Sequence, residues 1–442
     1  MATSNKNLFL RPNSRSEQLY RRAIRVLPGG NTRQTVFSSP HPYYARRGYG
    51  CTVIDEEGQE RIDFVNNLTS LILGHSDPKV VEAVVAQVQQ GSCFGSPTET
   101  EIRLAEIITS RVATVENIRF TNSGTEAVMA AVKAARAYTG RRKIGKFEGC
   151  YHGAYDYVEV SLDPSPEAGG DPGAPKPVLY SPAASPGILE DVVVMPFNDL
   201  EATETIIERE KDNLACVVVD PMPNRIGMIP ANPRFLSGVR AITRRHRILM
   251  ISDEVITFRL AYNGAQSAYG YDADLTTFGK AIGGGFPVGA VGGLAEVMSV
   301  FDASRGKAKM PHTGTFNANP VTMAAGIATL EQLTPESIGY LNKLGEAVRS
   351  QLTTLFQRTG FEAQVNGAGS LFRILMTSNP PVNYRSTLLS PERKAIVQDL
   401  YLGLLARGVA LTNTLLGCIS MPMTIREVNV LVDAVENWIR EK

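Results

Sequence analysis

The sequence of 442 residues is long enough for two or three packed domains with a sizeable core. Its 43% hydrophobic and 20% charged residues give the composition of a globular protein and exclude a disordered or fibrous one. The 45 Lys and Arg residues and 44 Asp and Glu residues leave a formal net charge of +1. This net charge produces no long-range electrostatic attraction to nucleic acid or to an anionic membrane surface. Small molecules or another protein chain are therefore the expected partners.

The five cysteines are scattered, form no CxxC pair and lie at no ligand spacing from a histidine. Neither a disulfide framework nor a metal site is predicted from this pattern. The first 18 residues contain no apolar core of signal-peptide length, and no stretch approaches the ~20 apolar residues needed to cross a bilayer. We therefore expect a cytoplasmic location.

The N-terminal elements predict part of a small domain. The apolar spacing of residues 16–27 predicts an amphipathic helix, which Pro28 and the glycines after it end. Residues 51–64 alternate around a Glu-Glu-Gly turn and predict a β-hairpin. We assign residues 1–75 to this N-terminal part of the small domain.

From about Pro78 the pattern changes to helical stretches such as PKVVEAVVAQVQQ, alternating with the short apolar runs NIRFT, ACVVVD and RILMISD. This alternation is typical of βαβ units around a mostly parallel, buried sheet. We predict an α/β fold whose large domain spans residues 76–322. The helical segments that follow, ending with a helix from Ile425 to about Arg440, predict that residues 323–442 complete a small α+β domain.

A segment rich in Pro, Gly and Ser, residues 163–187, interrupts the predicted large domain. Composition alone favours an exposed linker. Within an α/β enzyme, the same segment could equally be a loop over the active site.

The first chemical motif follows the strand NIRFT. Ser123, Gly124 and Thr125 begin a strong helical run, and the free N–H groups, hydroxyls and helix dipole at such a start suit a phosphate. An ordinary capping box between Ser123 and Glu126 is the alternative interpretation.

Two further charged residues, Asp253 and Lys280, are candidates for the same functional site as this motif. Asp253 ends a strand that is otherwise apolar, at the edge where open sheets bind their ligands. Lys280 lies between an apolar run and three glycines, where desolvation would lower its pKa and favour its use as a nucleophile.

Pyridoxal phosphate (PLP) requires these groups: a lysine that holds its aldehyde as an imine, a carboxylate for its pyridine nitrogen and donors for its phosphate. Tyr151, in CYHGAYD, could stack on the ring, although a packed core tyrosine is as plausible. The segment HTGTFNANP supplies Thr315, for which a polar loop is the alternative.

Four segments in the same order resemble the class III aminotransferases of fold type I. They are NSGTEAVMAAVKAARAYTGRRKIGKFEGCYHG, DEVITFRL, TTFGKAIGGGFPVGAVGG and GTFNANPVTMAAG. The nearest branch contains glutamate-1-semialdehyde aminomutase and the β-phenylalanine aminotransferases, and the resemblance covers nearly the whole chain. It implies a fold type I PLP-dependent transferase.

The resemblance also implies roles for the motif residues. Lys280 would form the Schiff base, Asp253 would pair with the pyridinium nitrogen, and Tyr151 and Val255 would cover the two ring faces. We also count His152, beside Tyr151, among the cofactor-binding residues. The phosphate-binding residues would be Ser123, Gly124 and Thr125.

In this family the residue matching Thr315 reaches the phosphate of the neighbouring subunit's cofactor, which implies a homodimer with shared active sites. The segment 163–187 matches the one that gates the aminomutase active site.

Departures from the family pattern concern the substrate more than the chemistry. The family's Glu-Pro motif appears here as Asp-Pro-Met-Pro-Asn-Arg, residues 220–225, so that Asn224 or Arg225 is the candidate contact to the phenolic oxygen of the cofactor.

Arg33 matches the carboxylate-binding arginine of β-phenylalanine aminotransferases, whereas the arginine of the aminomutase aligns with Thr35. Leu68 stands where the aminomutase has a tryptophan. Thr414 and Leu415 stand where those enzymes have a second arginine and a glutamate, respectively.

These residues predict a PLP-dependent aminotransferase with ping-pong kinetics. Its donor would be a β-amino acid or an apolar amine, and its acceptor a keto acid, aldehyde or ketone. The alternatives are a glutamate-1-semialdehyde-type 2,1-aminomutase and a non-catalytic binding protein with the PLP-enzyme fold. An acceptor requirement distinguishes the transferase from the mutase, and retention of Lys280 and Asp253 argues against the binding protein.

Overall fold

The computed structural model describes residues 7–304 and 306–442, and the chain divides into two compact units. Unit 1 takes the described residues up to Pro78 together with residues 340–380 and 389–442. Unit 2 takes residues 79–339 and 381–388. The domain limits predicted from the sequence, after residues 75 and 322, stay a proposal.

In chain order, the strands are β1 Ala45–Tyr49, β2 Thr52–Asp55, β3 Glu60–Asp63, β4 Asn117–Thr121, β5 Lys143–Phe147, β6 Val192–Met195, β7 Leu214–Val219, β8 Leu249–Asp253, β9 Leu275–Gly279, β10 Gly289–Gly293, β11 Gln364–Asn366, β12 Leu371–Leu375, β13 Val409–Ala410 and β14 Leu416–Cys418.

The α-helices, in the same order, are α1 Arg15–Ala23, α2 Asn66–Thr69, α3 Pro78–Gln90, α4 Glu99–Arg111, α5 Gly124–Thr139, α6 Asp156–Glu159, α7 Pro166–Gly169, α8 Leu200–Glu210, α9 Pro233–Arg245, α10 Gly264–Tyr269, α11 Ala295–Met298, α12 Pro320–Gln332, α13 Pro335–Thr359, α14 Pro391–Leu405 and α15 Ile425–Arg440. No helix of the described residues is long and apolar enough to span a membrane.

Unit 2 is built on a seven-stranded sheet in the order β4-β10-β9-β8-β7-β5-β6. The strands from β9 to β6 run parallel, and β10 is antiparallel to both of its neighbours. This arrangement confirms the predicted α/β class with a mostly parallel central sheet. The sheet is buried because helices cover both of its faces.

Alternation along the strands produces the two apolar layers of unit 2. Val218 of β7 and Ile251 of β8 belong to the core cluster that includes the alanine-rich face of α5. The neighbouring Val217 and Met250 belong to the opposite cluster, with Leu236 of α9. The carboxyl ends of β7, β8 and β9 are thereby fixed side by side, which positions the residues that follow them.

Unit 1 has a four-stranded sheet, β1-β2-β3-β13, and a three-stranded sheet, β11-β12-β14. The predicted hairpin is confirmed, since β2 and β3 pair antiparallel across residues 56–59. The predicted N-terminal helix is shorter than expected, because α1 ends at Ala23 rather than near Leu27. The final helix has the predicted bounds, and Thr424 caps it in a capping box with Glu427.

Candidate active site

The candidate site lies at the carboxyl edge of the sheet in unit 2. Val219 of β7 lies opposite Ser252 of β8, so that Asp220 and Asp253 are the next residues on adjacent parallel strands. Asp253 in turn lies opposite Thr277 of β9, three residues before Lys280. Two carboxylates and one lysine thus come from three neighbouring strand ends, where open α/β sheets bind ligands.

Asp253 is buried and fully hydrogen-bonded. Its Oδ2 lies 2.7 Å from His152 Nδ1, and its Oδ1 accepts hydrogen bonds from the Val255 backbone N–H and the Thr277 hydroxyl, both at 3.1 Å. Burial raises the pKa of this carboxyl, but the hydrogen bond and charge of His152 outweigh burial and leave the pKa lowered. Asp253 is therefore an ionised carboxylate in a buried position.

His152 connects this carboxylate to the segment after β5. Its ring is buried, and its Nε2 has no hydrogen-bond partner among the residues that the structure describes. A histidine that bonds a carboxylate through one nitrogen fixes the orientation of that carboxylate. Here the structure brings His152 to Asp253, a contact between residues 101 positions apart that no local sequence pattern indicates.

Lys280 directly follows β9 in a left-handed backbone conformation, with φ of 50°. Desolvation lowers the pKa of its amine, while the charges of Asp253 and Asp220 act in the opposite direction. The glycines after it permit a tight turn: Gly284 has φ of +59°, and a Cβ there would lie 2.6 Å from the Ala325 carbonyl of α12. The amine is thus held close to two carboxylates at the edge of the sheet.

Asp220 is a site residue that the sequence interpretation did not single out. It is buried, its Oδ1 accepts a hydrogen bond of 2.9 Å from the Met222 backbone, and burial together with the charge of Asp253 raises its pKa well above the ordinary value. An acidic residue at the end of the buried run ACVVVD was the signal that could have identified it. Two adjacent buried carboxyls do not both ionise easily, and the opposite directions of the two pKa shifts make Asp220 the weaker acid of the pair.

The structure forms half of the capping box that was the alternative interpretation of the first motif, because Glu126 accepts from Asn122 instead of from Ser123. Ser123 is the N-cap of α5, its hydroxyl accepts from the Glu126 N–H at 3.2 Å, and the Glu126 carboxylate accepts from the Asn122 N–H at 2.6 Å. Capping leaves the backbone N–H groups of the first turn, at Gly124 and Thr125, pointing out of the helix end. The motif therefore still presents the donors that a phosphate needs.

Gly124 is closely covered by Val255. A Cβ at Gly124 would lie 2.9 Å from Val255 Cγ1, so that only glycine allows this approach. Next to it, the Thr125 hydroxyl accepts a hydrogen bond of 3.1 Å from the Ala154 backbone and also bonds the Tyr151 side chain. The helix start, the residue after Asp253 and the Tyr151 segment are therefore packed together.

Three other predicted residues lie on irregular segments of unit 2. Tyr151 has 39% of its surface exposed, and burial of the remainder raises its pKa. Asn224 is half-buried after β7, next to the exposed Arg225. Thr315 is exposed in the turn before α12, two residues from Asn317, which accepts a hydrogen bond of 2.8 Å from Asn122.

The predicted substrate residues belong to unit 1. Arg33 is exposed and donates a hydrogen bond of 2.6 Å to Asn67 Oδ1, and Leu68 is half-buried beside Asn67. Thr414 is exposed, whereas the Leu415 side chain is completely buried.

The segment that carries Asn67 and Leu68 is strained. Residues 66–69 all have positive φ, between 45° and 76°, and none of them is glycine. Each such residue costs of order 1–3 kcal/mol, and runs of this kind concentrate at functional sites.

The residues of unit 2 fit pyridoxal phosphate. A partly desolvated lysine, an ionised carboxylate fixed by a histidine and a capped helix start match its aldehyde, its ring nitrogen and its phosphate, respectively. His152 Nε2 is in addition a buried polar atom of this site that none of the described residues satisfies.

Known proteins resemble this chain in both sequence and structure. The model of the family described as aminotransferase class-III matches residues 35–426. Glutamate-1-semialdehyde 2,1-aminomutase from Methanothermobacter thermautotrophicus is 41% identical over 429 residues, which is 96% of this chain and 98% of that protein.

Two solved structures extend the comparison. An omega-transaminase from Sphaerobacter thermophilus has a TM-score of 0.96 at 50% identity, over 98% of this chain and 99% of that one. A β-phenylalanine aminotransferase from Variovorax paradoxus has a TM-score of 0.89 at 35% identity, over 100% of this chain and 97% of that one.

The fold and the site define a PLP-dependent enzyme of fold type I. Within that class, the chain belongs to the class III aminotransferase family. The predictions of an enzyme and of its cofactor are confirmed, and the alternative of a non-catalytic binding protein is not supported.

Proposed function

We propose that this protein is an aminotransferase that takes nitrogen from a β-amino acid or an apolar amine and passes it to a keto acid, aldehyde or ketone. The observation that carries the chemistry is the arrangement of Lys280 beside the buried carboxyls of Asp253 and Asp220, with the pKa values of Lys280 and Asp253 lowered and the pKa of Asp220 raised. Amino-transfer chemistry requires an amine that is nucleophilic near neutral pH and a carboxylate that stays charged while buried.

Pyridoxal phosphate, when bound, supplies an aldehyde for amines and an electron sink for the bond that breaks. In our proposal Asp253 holds the proton on the ring nitrogen, and His152 keeps this carboxylate in place through the 2.7 Å hydrogen bond. Lys280 would bind the cofactor through its amine and, as a free amine, would accept and return the proton that moves during amino transfer.

Ser123, Gly124 and Thr125 would bind the phosphate, and Tyr151 and Val255 would contact the ring. Asn224 is the proposed contact to the phenolic oxygen.

Arg33 supports a substrate that has a carboxylate. Its partner Asn67 is a neutral amide, and among the residues that the structure describes Arg33 forms no ion pair. Its positive charge is therefore not compensated locally and is available for an anion, whose two oxygens match the planar guanidinium donors.

The orientation of Asn67 is fixed by Ser70. The Asn67 Nδ2 donates to the Ser70 hydroxyl at 3.0 Å, and that hydroxyl donates to the Asn67 carbonyl at 3.0 Å. This leaves Asn67 Oδ1 as the atom presented to Arg33. We propose Leu68, Thr414 and Leu415 as the uncharged remainder of the substrate site, which suits an apolar substituent.

An aminomutase is the second candidate, and the similarity to glutamate-1-semialdehyde aminomutases favours it. The substitutions at the substrate positions argue for a transferase, because the tryptophan and the arginine of the aminomutase pocket are replaced by Leu68 and Thr35. The similarity to an omega-transaminase and a β-phenylalanine aminotransferase supports the same choice.

We further propose a homodimer in which Thr315 contacts the cofactor phosphate of the neighbouring copy. The exposure of Thr315 agrees with a partner outside the chain. The face of α3 supports an interface, because Val81, Val85 and Val88 are 47%, 50% and 51% exposed at helical spacing. The cytoplasmic location expected from the sequence stays a prediction.

The test of the substrate class is Arg33→Ala, assayed with a β-amino acid and with an uncharged arylalkyl amine as donors. We expect KM for the acid to rise by at least about tenfold, the equivalent of ~1.4 kcal/mol, and KM for the amine to change little. Arg46→Ala, which removes another exposed arginine of unit 1, is the control. Equal effects on both donors, or no effect on either, would refute the role of Arg33.

A further inference from the structure

A short segment of the chain, residues 381–388, packs with unit 2 although the residues before and after it belong to unit 1. We call it the strap. It is internally ordered: the Ser386 hydroxyl accepts hydrogen bonds from the backbone N–H groups of Val382 and Asn383 at 2.9 and 3.0 Å. It ends in a single helical turn, Arg385–Thr387.

Arg385 of the strap binds the buried end of β5. Its Nε and Nη2 donate to the two carboxylate oxygens of Glu148 at 2.9 and 3.0 Å, and Glu148 is only 4% exposed. Its Nη1 donates to the carbonyl of Gly170, in the segment 163–187. One guanidinium therefore joins the strap, β5 and this segment with the bidentate geometry that makes arginine pairs strong.

Tyr384 of the strap covers the next residue. A Cβ at Gly149 would lie 2.2 Å from Tyr384 Cδ2, and Gly149 has φ of +76°, so that glycine is required by both space and backbone conformation. The Tyr384 hydroxyl lies 2.9 Å from the Pro164 carbonyl, to which it donates, and 3.0 Å from Asp163 Oδ1. The ring is buried within the apolar cluster that contains Phe147.

These contacts end where the cofactor residues begin. Gly149 is separated from Tyr151 by one residue, and the next residue, His152, makes the 2.7 Å contact with Asp253. Three peptide units connect Gly149 to His152, so that a displacement of Gly149 would move the His152 ring relative to Asp253. Preorganised sites require their groups to be placed to within about 0.5 Å.

We propose that Arg385 and Tyr384 are positioning residues of the cofactor site. They hold Glu148 and Gly149 in place, so that the hydrogen bond between His152 and Asp253 is kept. They also form hydrogen bonds with the first half of the segment 163–187, at Asp163, Pro164 and Gly170. The inference rests on the roles proposed above for Tyr151 and His152. It assigns the strap to the cofactor site, whose residues Tyr151, His152, Asp253 and Lys280 lie more than 100 positions before it in the sequence.

The competing explanation is that the Arg385–Glu148 pair only stabilises the fold. The chain offers a matched control, because Arg240 makes a similar buried, bidentate pair with Asp274 in the same unit, at 2.7 and 2.8 Å. Arg240→Ala breaks this pair and the longer contacts of Arg240 with Asp272. Asp274 is joined to Asp253 through Met250 of β8, a strand that β7 and β9 hold on both sides, whereas Glu148 is joined to His152 through an irregular segment.

The experiment compares wild type, Arg385→Ala, Arg385→Lys and Arg240→Ala as purified holoenzymes. Each is stripped of cofactor and titrated with pyridoxal phosphate by absorbance, and the pH midpoint of the bound-cofactor band and the thermal unfolding temperature are recorded. For Arg385→Ala we expect Kd to rise at least about tenfold and the pH midpoint to shift. Arg385→Lys should be intermediate, because lysine keeps the charge and loses the paired geometry.

Arg240→Ala should lower the unfolding temperature while its Kd and pH midpoint stay within about twofold of wild type. An unchanged Kd in Arg385→Ala, or an equal rise in Arg240→Ala, would overturn the proposal. If Arg385→Ala does not fold, Glu148→Gln, which keeps the side-chain size and removes the charge, is subject to the same expectations. Failure of wild type to transfer amino groups would refute the proposed function and leave the cofactor titrations as an independent result.

Discussion

At the scale of the residue, the central feature is a carboxylate that stays ionised although it is buried. Asp253 does so because His152, Val255 and Thr277 all donate hydrogen bonds to it. Asp220, at the adjacent strand end, is the weaker acid, because burial and the charge of Asp253 raise its pKa. The site thus shifts the pKa values of its two aspartates in opposite directions.

This separation makes Asp253→Asn a direct prediction. The amide keeps the shape of the side chain and removes the charge that would hold a proton on the ring nitrogen, so we expect kcat to fall at least about tenfold, the equivalent of ~1.4 kcal/mol. The measurement is steady-state kinetics together with the cofactor content. Asp272→Asn, at a half-exposed position on the same unit, serves as the control. A rate within about twofold of wild type would contradict the role of Asp253.

The sequence predicted some of these residues and not others for physical reasons. Lys280 and Asp253 could be identified because charged residues next to apolar runs are costly without a function. The contact of His152 with Asp253 and the contribution of Arg385 depend on tertiary packing across 101 and 237 residues, respectively. No local periodicity contains that information.

At the scale of the element, β5 has an unusual composition, because Lys146 is completely buried in it. Its Nζ donates a hydrogen bond of 2.6 Å to the Val160 carbonyl, and burial lowers its pKa from 10.5 to about 8. Below pH 8 the amine is charged in both the folded and the unfolded chain, and the folded state bears the full cost of burying the charge.

The cost disappears as the pH rises from 8 towards 10.5, because the folded chain loses its proton first. We therefore predict that the unfolding free energy of wild type, relative to Lys146→Met, increases by about 3 kcal/mol over that range. Urea unfolding of both proteins at several pH values measures this difference, and other titrating groups cancel in the comparison. A difference that does not change with pH would contradict the prediction.

Element types were predicted better than element ends. The strands NIRFT and RILMISD and the hairpin of β2 and β3 formed as their apolar patterns indicate. Helix α1 ended four residues early, since the next backbone N–H groups form 3₁₀-type hydrogen bonds, from Arg25 to the Arg22 carbonyl at 3.3 Å and from Val26 to the Ala23 carbonyl at 3.0 Å. Single-sequence patterns do not determine such terminal hydrogen bonds.

At the scale of the whole molecule, the proposed dimer predicts a defined assembly. Val85→Glu places a charge in the middle of the exposed valine face of α3, and we expect it to convert a particle of twice the 48.0 kDa chain into a monomer. Light scattering coupled to size-exclusion chromatography measures the mass. Ile425→Glu, at another exposed apolar position, is the control and should stay dimeric. A wild-type protein of single-chain mass would refute the dimer.

The central claim is that nitrogen passes to a second substrate, and the most direct measurement is product formation with and without an acceptor. With an amine donor alone, the holoenzyme should release about one equivalent of carbonyl product per chain and then stop, whereas a keto acid should restore continuous turnover. Lys280→Ala should show no turnover under either condition. Continuous conversion of a single substrate without any acceptor would contradict the transferase and establish the mutase in its place.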